Sequence, residues 1–66
     1  MKATIHGTNE VIQGKTLKEI KRKMDRMLEV DGPRGLTATV ETGAVIHTEL
    51  YEGQDYIRSA DGKKIL

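Results

Sequence analysis

One stretch of the chain, residues 16–30, carries both the start signal and the stop signal of an amphipathic helix. Thr16 and Glu19 are spaced as a capping box, in which the threonine hydroxyl accepts from the Glu19 amide and the Glu19 carboxylate accepts from the Thr16 amide. Asp31-Gly32-Pro33 ends the pattern, because glycine favours a left-handed stop and proline cannot continue a helix. The apolar residues between these signals recur on one helical face: Leu17, Ile20, Met24, Met27 and Leu28. We therefore expect one helix over Thr16–Val30, with strands gathered around its apolar face.

The residues before the helix alternate between apolar and polar, which indicates a half-buried hairpin. A two-residue turn at Thr8-Asn9 would set Ile5 opposite Ile12 and His6 opposite Val11. Asparagine tolerates the left-handed backbone that such a turn demands. The sequence therefore predicts two short paired strands ahead of the helix.

The residues after the helix repeat this alternation in two further strands, 36–41 and 44–51. The three-residue loop Glu41-Thr42-Gly43 would keep the apolar residues of both strands on one side, whereas a two-residue turn would separate them. The third residue of such a loop is left-handed, and Gly43 stands there. The sequence therefore favours the three-residue loop.

Two more turns complete the predicted sheet. A turn over residues 52–55 would place Leu50 opposite Ile57 and Glu49 opposite Arg58. Asp61-Gly62 is the strongest hairpin signal of the chain, and as a two-residue turn it sets Ile57 opposite Leu66.

These segments predict an α+β fold, a single helix packed on one face of an antiparallel sheet in the order β-β-α-β-β-β, with a short sixth strand. A β-grasp-like arrangement would place the first and third strands side by side, and a meander is the alternative. The 66 residues form one domain, 1–66, near the lower size limit for a self-sufficient core.

The composition limits how such a core is stabilised. The chain has no cysteine, phenylalanine or tryptophan, which excludes disulfides and cysteine-based zinc sites. Because small domains often supplement a thin core by self-association, we expect a homodimer or other homo-oligomer. The longest apolar run, Ala44-Val45-Ile46, is too short to cross a membrane, so we expect no membrane association and a cytoplasmic protein.

The sheet face away from the helix is the first candidate site. On the predicted registers it presents aromatic, basic and acidic side chains together: His47, Glu49, Tyr51, Tyr56 and Arg58, with Val45 and Ile65 beside them. Tyrosine and arginine are frequent anchors of protein interfaces. Ordinary cross-strand pairs, Tyr51 with Tyr56 and Glu49 with Arg58, would account for the same residues without any partner.

The basic helix surface is the second candidate, and would contact nucleic-acid phosphates. Its residues are Lys18, Arg22 and Arg26, with Lys63 and Lys64 assisting. Acidic residues three or four positions away would instead make a solvated face by pairing Glu19 with Lys23, Lys21 with Asp25, and Arg26 with Glu29.

Catalytic and metal-binding signals are weak. His47 and Glu49 point the same way on one strand, but a metal needs further donors, of which His6 is the one candidate. Ser59 is the only serine and is expected to face the core. Gly32 and Gly35 follow a helix rather than precede one, so they make no phosphate loop. We expect no catalytic residues, no metal and no cofactor.

The sequence is therefore interpreted as a small non-enzymatic protein-binding module, such as a regulator, inhibitor or accessory subunit. It would act through the exposed sheet face or a free sheet edge. The alternative is a nucleic-acid-binding protein that uses the basic helix face.

Overall fold

The computed structural model describes residues 1–31, 34–49 and 55–65. These residues contain β1 (Lys2–Ile5), β2 (Val11–Gln13), α1 (Leu17–Asp31), β3 (Gly35–Val40), β4 (Val45–Glu49) and β5 (Tyr56–Arg58). Lys64 adds one antiparallel bridge to Arg58, which makes a short sixth strand. The predicted α+β class and the predicted element order are confirmed.

The helix begins as predicted, at the Thr16 cap. The Glu19 amide donates to the Thr16 hydroxyl at 3.1 Å. The Glu19 carboxylate, however, accepts from the Lys15 amide at 2.7 Å and not from the Thr16 amide. The carboxylate therefore stabilises the helix start one residue earlier than a standard capping box does. Gly32 and Pro33, which carry the predicted stop signal, lie outside the described residues.

The strands form one antiparallel sheet in the order β2-β1-β3-β4-β5. The first and third strands are neighbours, as the β-grasp-like alternative requires. The helix connects β2 to β3 past β1, so the order departs from a plain meander. α1 packs chiefly on β4, with further contacts to β2 and β3.

The predicted register of β3 and β4 is confirmed. Ala38 lies opposite Ile46, and the Val40 amide donates to the Ala44 carbonyl at 2.7 Å. Gly43 closes the loop with φ of +97°, the left-handed backbone expected of its third residue.

The predicted pairing of β1 with β2 is wrong by two residues. Ile12 lies opposite Ala3 rather than Ile5. The connection is longer than two residues because the Ile5 amide donates to the Glu10 carbonyl at 2.8 Å, and Gly7 and Asn9 between them adopt left-handed backbone, with φ of 95° and 63°. A shift of two leaves every side chain on its predicted face.

The predicted pairings around β5 are also wrong. Ile57 lies opposite Ile46 rather than Leu50, and Arg58 lies opposite Val45 rather than Glu49. The observed register buries Ile46 and Ile57 completely against each other's strands. Leu50 and residues 51–54 lie outside the described residues.

The last hairpin has a three-residue loop instead of the predicted two-residue turn. Ser59 and Lys63 flank this loop, and the Ser59 amide donates to the Lys63 carbonyl at 2.8 Å. Gly62 is its left-handed third residue, with φ of 88°. Because of the extra residue, the Ile65 amide donates to the Ile57 carbonyl at 2.7 Å. The predicted pairing of Ile57 with Leu66 is therefore wrong by one position, and Leu66 itself lies outside the described residues.

The core lies between α1 and one face of the sheet. Its fully or nearly buried apolar side chains come from the helix and from four of the strands and their loops: Ala3, Ile5, Ile20, Met24, Leu28, Ala38, Val40, Ala44, Ile46 and Ile57. Within the described residues, the helix covers only this face, and the opposite face carries the candidate site.

Candidate functional site

Tyr56 lies on the uncovered sheet face, on the outer strand β5, and is the centre of a side-chain cluster there. It lies directly across from His47, and the two rings are stacked with centroids 5.1 Å apart and planes inclined by 20°. The guanidinium carbon of Arg58 lies 5.3 Å from the centroid of the same ring. Cations at this distance from an aromatic ring are held by the ring quadrupole. Three of the predicted interface residues therefore form one contiguous cluster.

His47 is fixed by hydrogen bonds at both ring nitrogens. Its Nδ1 lies 2.7 Å from the Thr37 hydroxyl, and its Nε2 lies 2.8 Å from Glu49 Oε1. An ionised carboxylate can only accept, so Nε2 carries the hydrogen and the neutral ring must accept from Thr37 at Nδ1. The Thr37–His47–Glu49 chain thus selects one tautomer and locks the ring that Tyr56 stacks on.

The predicted pairing of Glu49 with Arg58 is wrong. The Glu49 carboxylate is bound to His47, while Arg58 donates to the Gly62 carbonyl at 3.3 Å. The four-residue change of register separates the two side chains along the sheet. Tyr51, the fifth predicted residue of this face, lies outside the described residues, so its pairing with Tyr56 is not seen, and His47 stands opposite Tyr56.

Threonines occupy much of the remaining face. Thr4, Thr37 and Thr39 belong to β1 and β3, and the Thr39 hydroxyl lies 2.7 Å from His6 Nε2. Sequence reasoning overlooked these hydroxyls because threonine is common in any strand. Thr37 lies directly opposite His47 in the β3–β4 register, and that pairing is the signal that could have identified it, whereas Thr39 lies opposite Thr4 and Val45.

A polar cluster under the helix holds one end of the site. Lys21 bridges Asp25 at 3.1 Å and Asp55 at 3.0 Å, and Asp55 also accepts from the Glu49 amide at 2.9 Å. That amide is the main reason why the pKa of Asp55 lies below its usual 3.8, and Lys21 adds to the effect against the opposing effect of burial. Partial burial of Lys21 lowers the pKa of its ammonium, but the hydrogen bonds to Asp55 and Asp25 outweigh burial and raise it above 10.5. The cluster anchors the segment around Glu49 to α1.

Neither outer edge of the sheet offers a complete row of free backbone groups. At β2, the register directs the amides and carbonyls of Val11 and Gln13 outward, but Lys23 of the helix donates to the Gln13 carbonyl. At β5, the segment Lys63–Ile65 occupies the outer side. Blocked edges of this kind oppose strand addition by a partner.

The second predicted surface divides into two parts. Lys18, Arg22 and Arg26 lie exposed on α1. Lys63 and Lys64 do not join them, since their backbones pair with Ser59 and Arg58 at the end of the sheet.

The geometry provides little for metal binding or nucleophilic catalysis. Among the described residues, no three histidine, aspartate or glutamate side chains converge on a metal position. The Ser59 hydroxyl is engaged within its own loop by Asp61 and Lys63, and its side chain is only half-buried rather than in the core.

The chain matches no protein-family model, no curated protein and no solved structure. In the described ranges, the structure contains no helix with the length and apolar character needed to span a membrane.

Proposed function

We propose that this chain is a small protein-binding module that docks its partner on the uncovered sheet face, around Tyr56. The observation that carries the proposal is the Tyr56 cluster, in which His47 and Arg58 both contact the tyrosine ring. In this role the chain acts as a regulator, inhibitor or accessory subunit of a larger protein and performs no chemistry of its own.

The rigidity of the cluster supports this proposal. Binding is stronger when side chains are ordered before the partner arrives, because less conformational entropy is lost on association. His47 is held by Thr37 and Glu49, and Glu49 is held in turn through its amide by Asp55. Such a tyrosine–arginine pair on a fixed support has the composition of an interface hot spot.

The blocked edges favour the face over strand addition. A partner strand at β2 would have to displace Lys23 from the Gln13 carbonyl, and at β5 it would have to displace the Lys63–Ile65 segment. The uncovered face requires no such rearrangement.

The size of the face sets the kind of complex that we expect. Five strands with about 4.8 Å between neighbours and about 17 Å of length give a footprint of about 400 Å² per molecule. Two such footprints fall below the roughly 1,200 Å² at which standard stable interfaces begin. We therefore propose a reversible complex, and a second copy of the chain is the first partner to test.

Site-specific photo-crosslinking tests the proposal. A benzophenone amino acid at Thr4, exposed on the sheet face, should form an adduct in nuclease-treated host lysate or with a second copy of the chain. The same probe at Lys18 on the helix is the matched position on the other side of the molecule. The Tyr56→Ala/Arg58→Ala variant should lose the adduct from Thr4, whereas Lys18→Ala/Arg22→Ala should keep it.

An adduct from Thr4 that survives loss of both Tyr56 and Arg58 would remove the cluster as the binding site. Sedimentation of the purified chain over a wide concentration range separates the two kinds of partner. Reversible self-association that is lost in the double variant would identify a second copy as the partner.

A further inference from the structure

The exposed side of α1 carries a stripe of three cations, Lys18, Arg22 and Arg26. Successive members are four residues apart, so they rise by about 6 Å and rotate by about 40° around the helix at each step. The stripe is therefore about 12 Å long and lies opposite the apolar face that packs on β4. In the described part of the chain, none of the three side chains forms an ion pair or a hydrogen bond.

Two of the acidic residues that would neutralise this stripe are used elsewhere, whereas Glu29 lies exposed beside Arg22 and Arg26. Glu19 turns back to the Lys15 amide, and Asp25 is held by Lys21 and by the hydroxyl of Thr48. The pairs expected from sequence spacing, Glu19 with Lys23 and Arg26 with Glu29, are not among the ion pairs of the described residues.

The two other basic residues of the helix differ from the stripe because their side chains are bound to other parts of the chain. Lys21 bridges Asp25 and Asp55, and Lys23 blocks the β2 edge at Gln13. The chain has a net charge of only +1, yet Glu19 and Asp25 are bound within the fold, so three cations and one acid, Glu29, are left exposed on this side of the helix. The low net charge of the whole chain therefore coexists with a positive surface on the exposed side of α1.

We infer that this stripe is a second binding surface, one that contacts the phosphate backbone of nucleic acid. A polyanion with regularly spaced charges complements a row of cations spaced along a helix, and arginine also donates two hydrogen bonds at once to a phosphate. The stripe is about 12 Å long and covers only a few phosphates, so we expect the contact to be made to the backbone and not to depend on base sequence. The stripe and the Tyr56 cluster lie on opposite sides of the molecule, so a nucleic acid and a protein partner can be bound together.

Fluorescence anisotropy with a labelled 20-base-pair duplex of arbitrary sequence tests this inference. Three phosphate contacts predict an affinity that falls about 40-fold between about 50 mM and about 200 mM salt. The variant Lys18→Gln/Arg22→Gln/Arg26→Gln should lose most of the binding and most of its salt dependence. The matched control is Arg34→Gln/Lys63→Gln/Lys64→Gln, which removes the same charge from exposed positions elsewhere.

Retention of binding in the control, together with loss in the stripe variant, supports the inference. Equal loss in both variants would overturn it, since net charge alone would then explain the binding. Absence of binding at the lower salt concentration would also overturn it, as would exclusive binding to phosphatidylserine vesicles offered in parallel. Circular dichroism of each variant checks that the helix is intact, and the Thr4 crosslink reports separately on the sheet face.

Discussion

The Thr48 hydroxyl of β4 donates a hydrogen bond to the Asp25 carboxylate of α1 across the core boundary. Thr48 is completely buried, and it is the one buried polar residue in the described part of the chain. Asp25 is partly exposed and is bound at the same time by Lys21. A single hydroxyl thus links the strand that carries His47 and Glu49 to the helix that covers the other face.

Replacing Thr48 with valine should lower the free energy of unfolding by about 1 kcal/mol. Valine keeps the shape of the side chain but removes the hydrogen bond to a charged acceptor, and the added methyl group offsets part of that loss. Urea denaturation measures the difference. In the Asp25→Asn background the same substitution should cost clearly less, because its effect comes from the charged acceptor; an equal cost in both backgrounds would contradict this explanation.

Gly43 and Gly62 make a matched pair for separating backbone strain from steric contact. Both have positive φ, at 97° and 88°, but a Cβ at Gly43 would lie 3.1 Å from the Ala60 Cβ, whereas a Cβ at Gly62 would meet nothing within 4 Å. Gly62→Ala should cost about 1 kcal/mol from strain alone. Gly43→Ala should cost more, and thermal unfolding of the two variants gives the difference. An equal loss would show that the Ala60 loop moves aside freely.

The faces of β1 to β5 were predictable from the sequence, but most of their registers were not. The shift in the last hairpin is odd, so Ile65 lies opposite Ile57, on the other face from the one predicted for it. Alternation has a period of two, so any even shift leaves the same side chains inward. Ile12 moved by two positions relative to β1, and Arg58 moved by four relative to β4, yet both stayed on their predicted faces. Gly43 fixed the β3–β4 register because a left-handed third residue specifies one loop length.

The composition of the site was partly predictable for the same reason. The cluster of His47, Tyr56 and Arg58 was predictable because all three side chains lie on the same face of two adjacent strands, whichever register those strands adopt. The partner of Glu49 depends on register, and so it was wrong. The cluster of Lys21, Asp25 and Asp55 joins residues far apart in sequence, and only the Lys21–Asp25 pair has a helical spacing that can be recognised.

The Lys21 cluster should contribute stability over a defined range of pH. The pKa of Asp55 is lower in the folded chain than its usual 3.8, so its contribution is present above that pH and is lost as the pH falls through the folded pKa. The pKa of Lys21 is raised, so its contribution is present below 10.5 and is lost as the pH rises through the folded value. The full contribution therefore lies between these two limits.

Asp55→Asn should remove the part of the stability that the native chain loses at low pH. Because the Asp55 side chain is 37% exposed, the effect is expected to be small, about 0.5 kcal/mol after screening. Urea denaturation at about pH 6 and about pH 2.5 measures it, with Glu29→Gln as a control carboxylate that has no ion pair in the described residues. The variant should be less stable than the native chain at the higher pH, and the difference should shrink at the lower pH. A constant difference would exclude Asp55 titration as the cause.

The tautomer of His47 is the most direct test of the site geometry. Glu49 accepts from Nε2 and Thr37 must then donate to Nδ1, so the neutral ring should carry its hydrogen on Nε2. Nitrogen-15 chemical shifts of the imidazole, recorded where the ring is neutral, distinguish the two tautomers. Thr37→Val should leave the hydrogen on Nε2 but free Nδ1, whereas Glu49→Gln should allow both tautomers. A native ring protonated on Nδ1 would mean that Glu49 does not orient His47, and the support proposed for Tyr56 would then be absent.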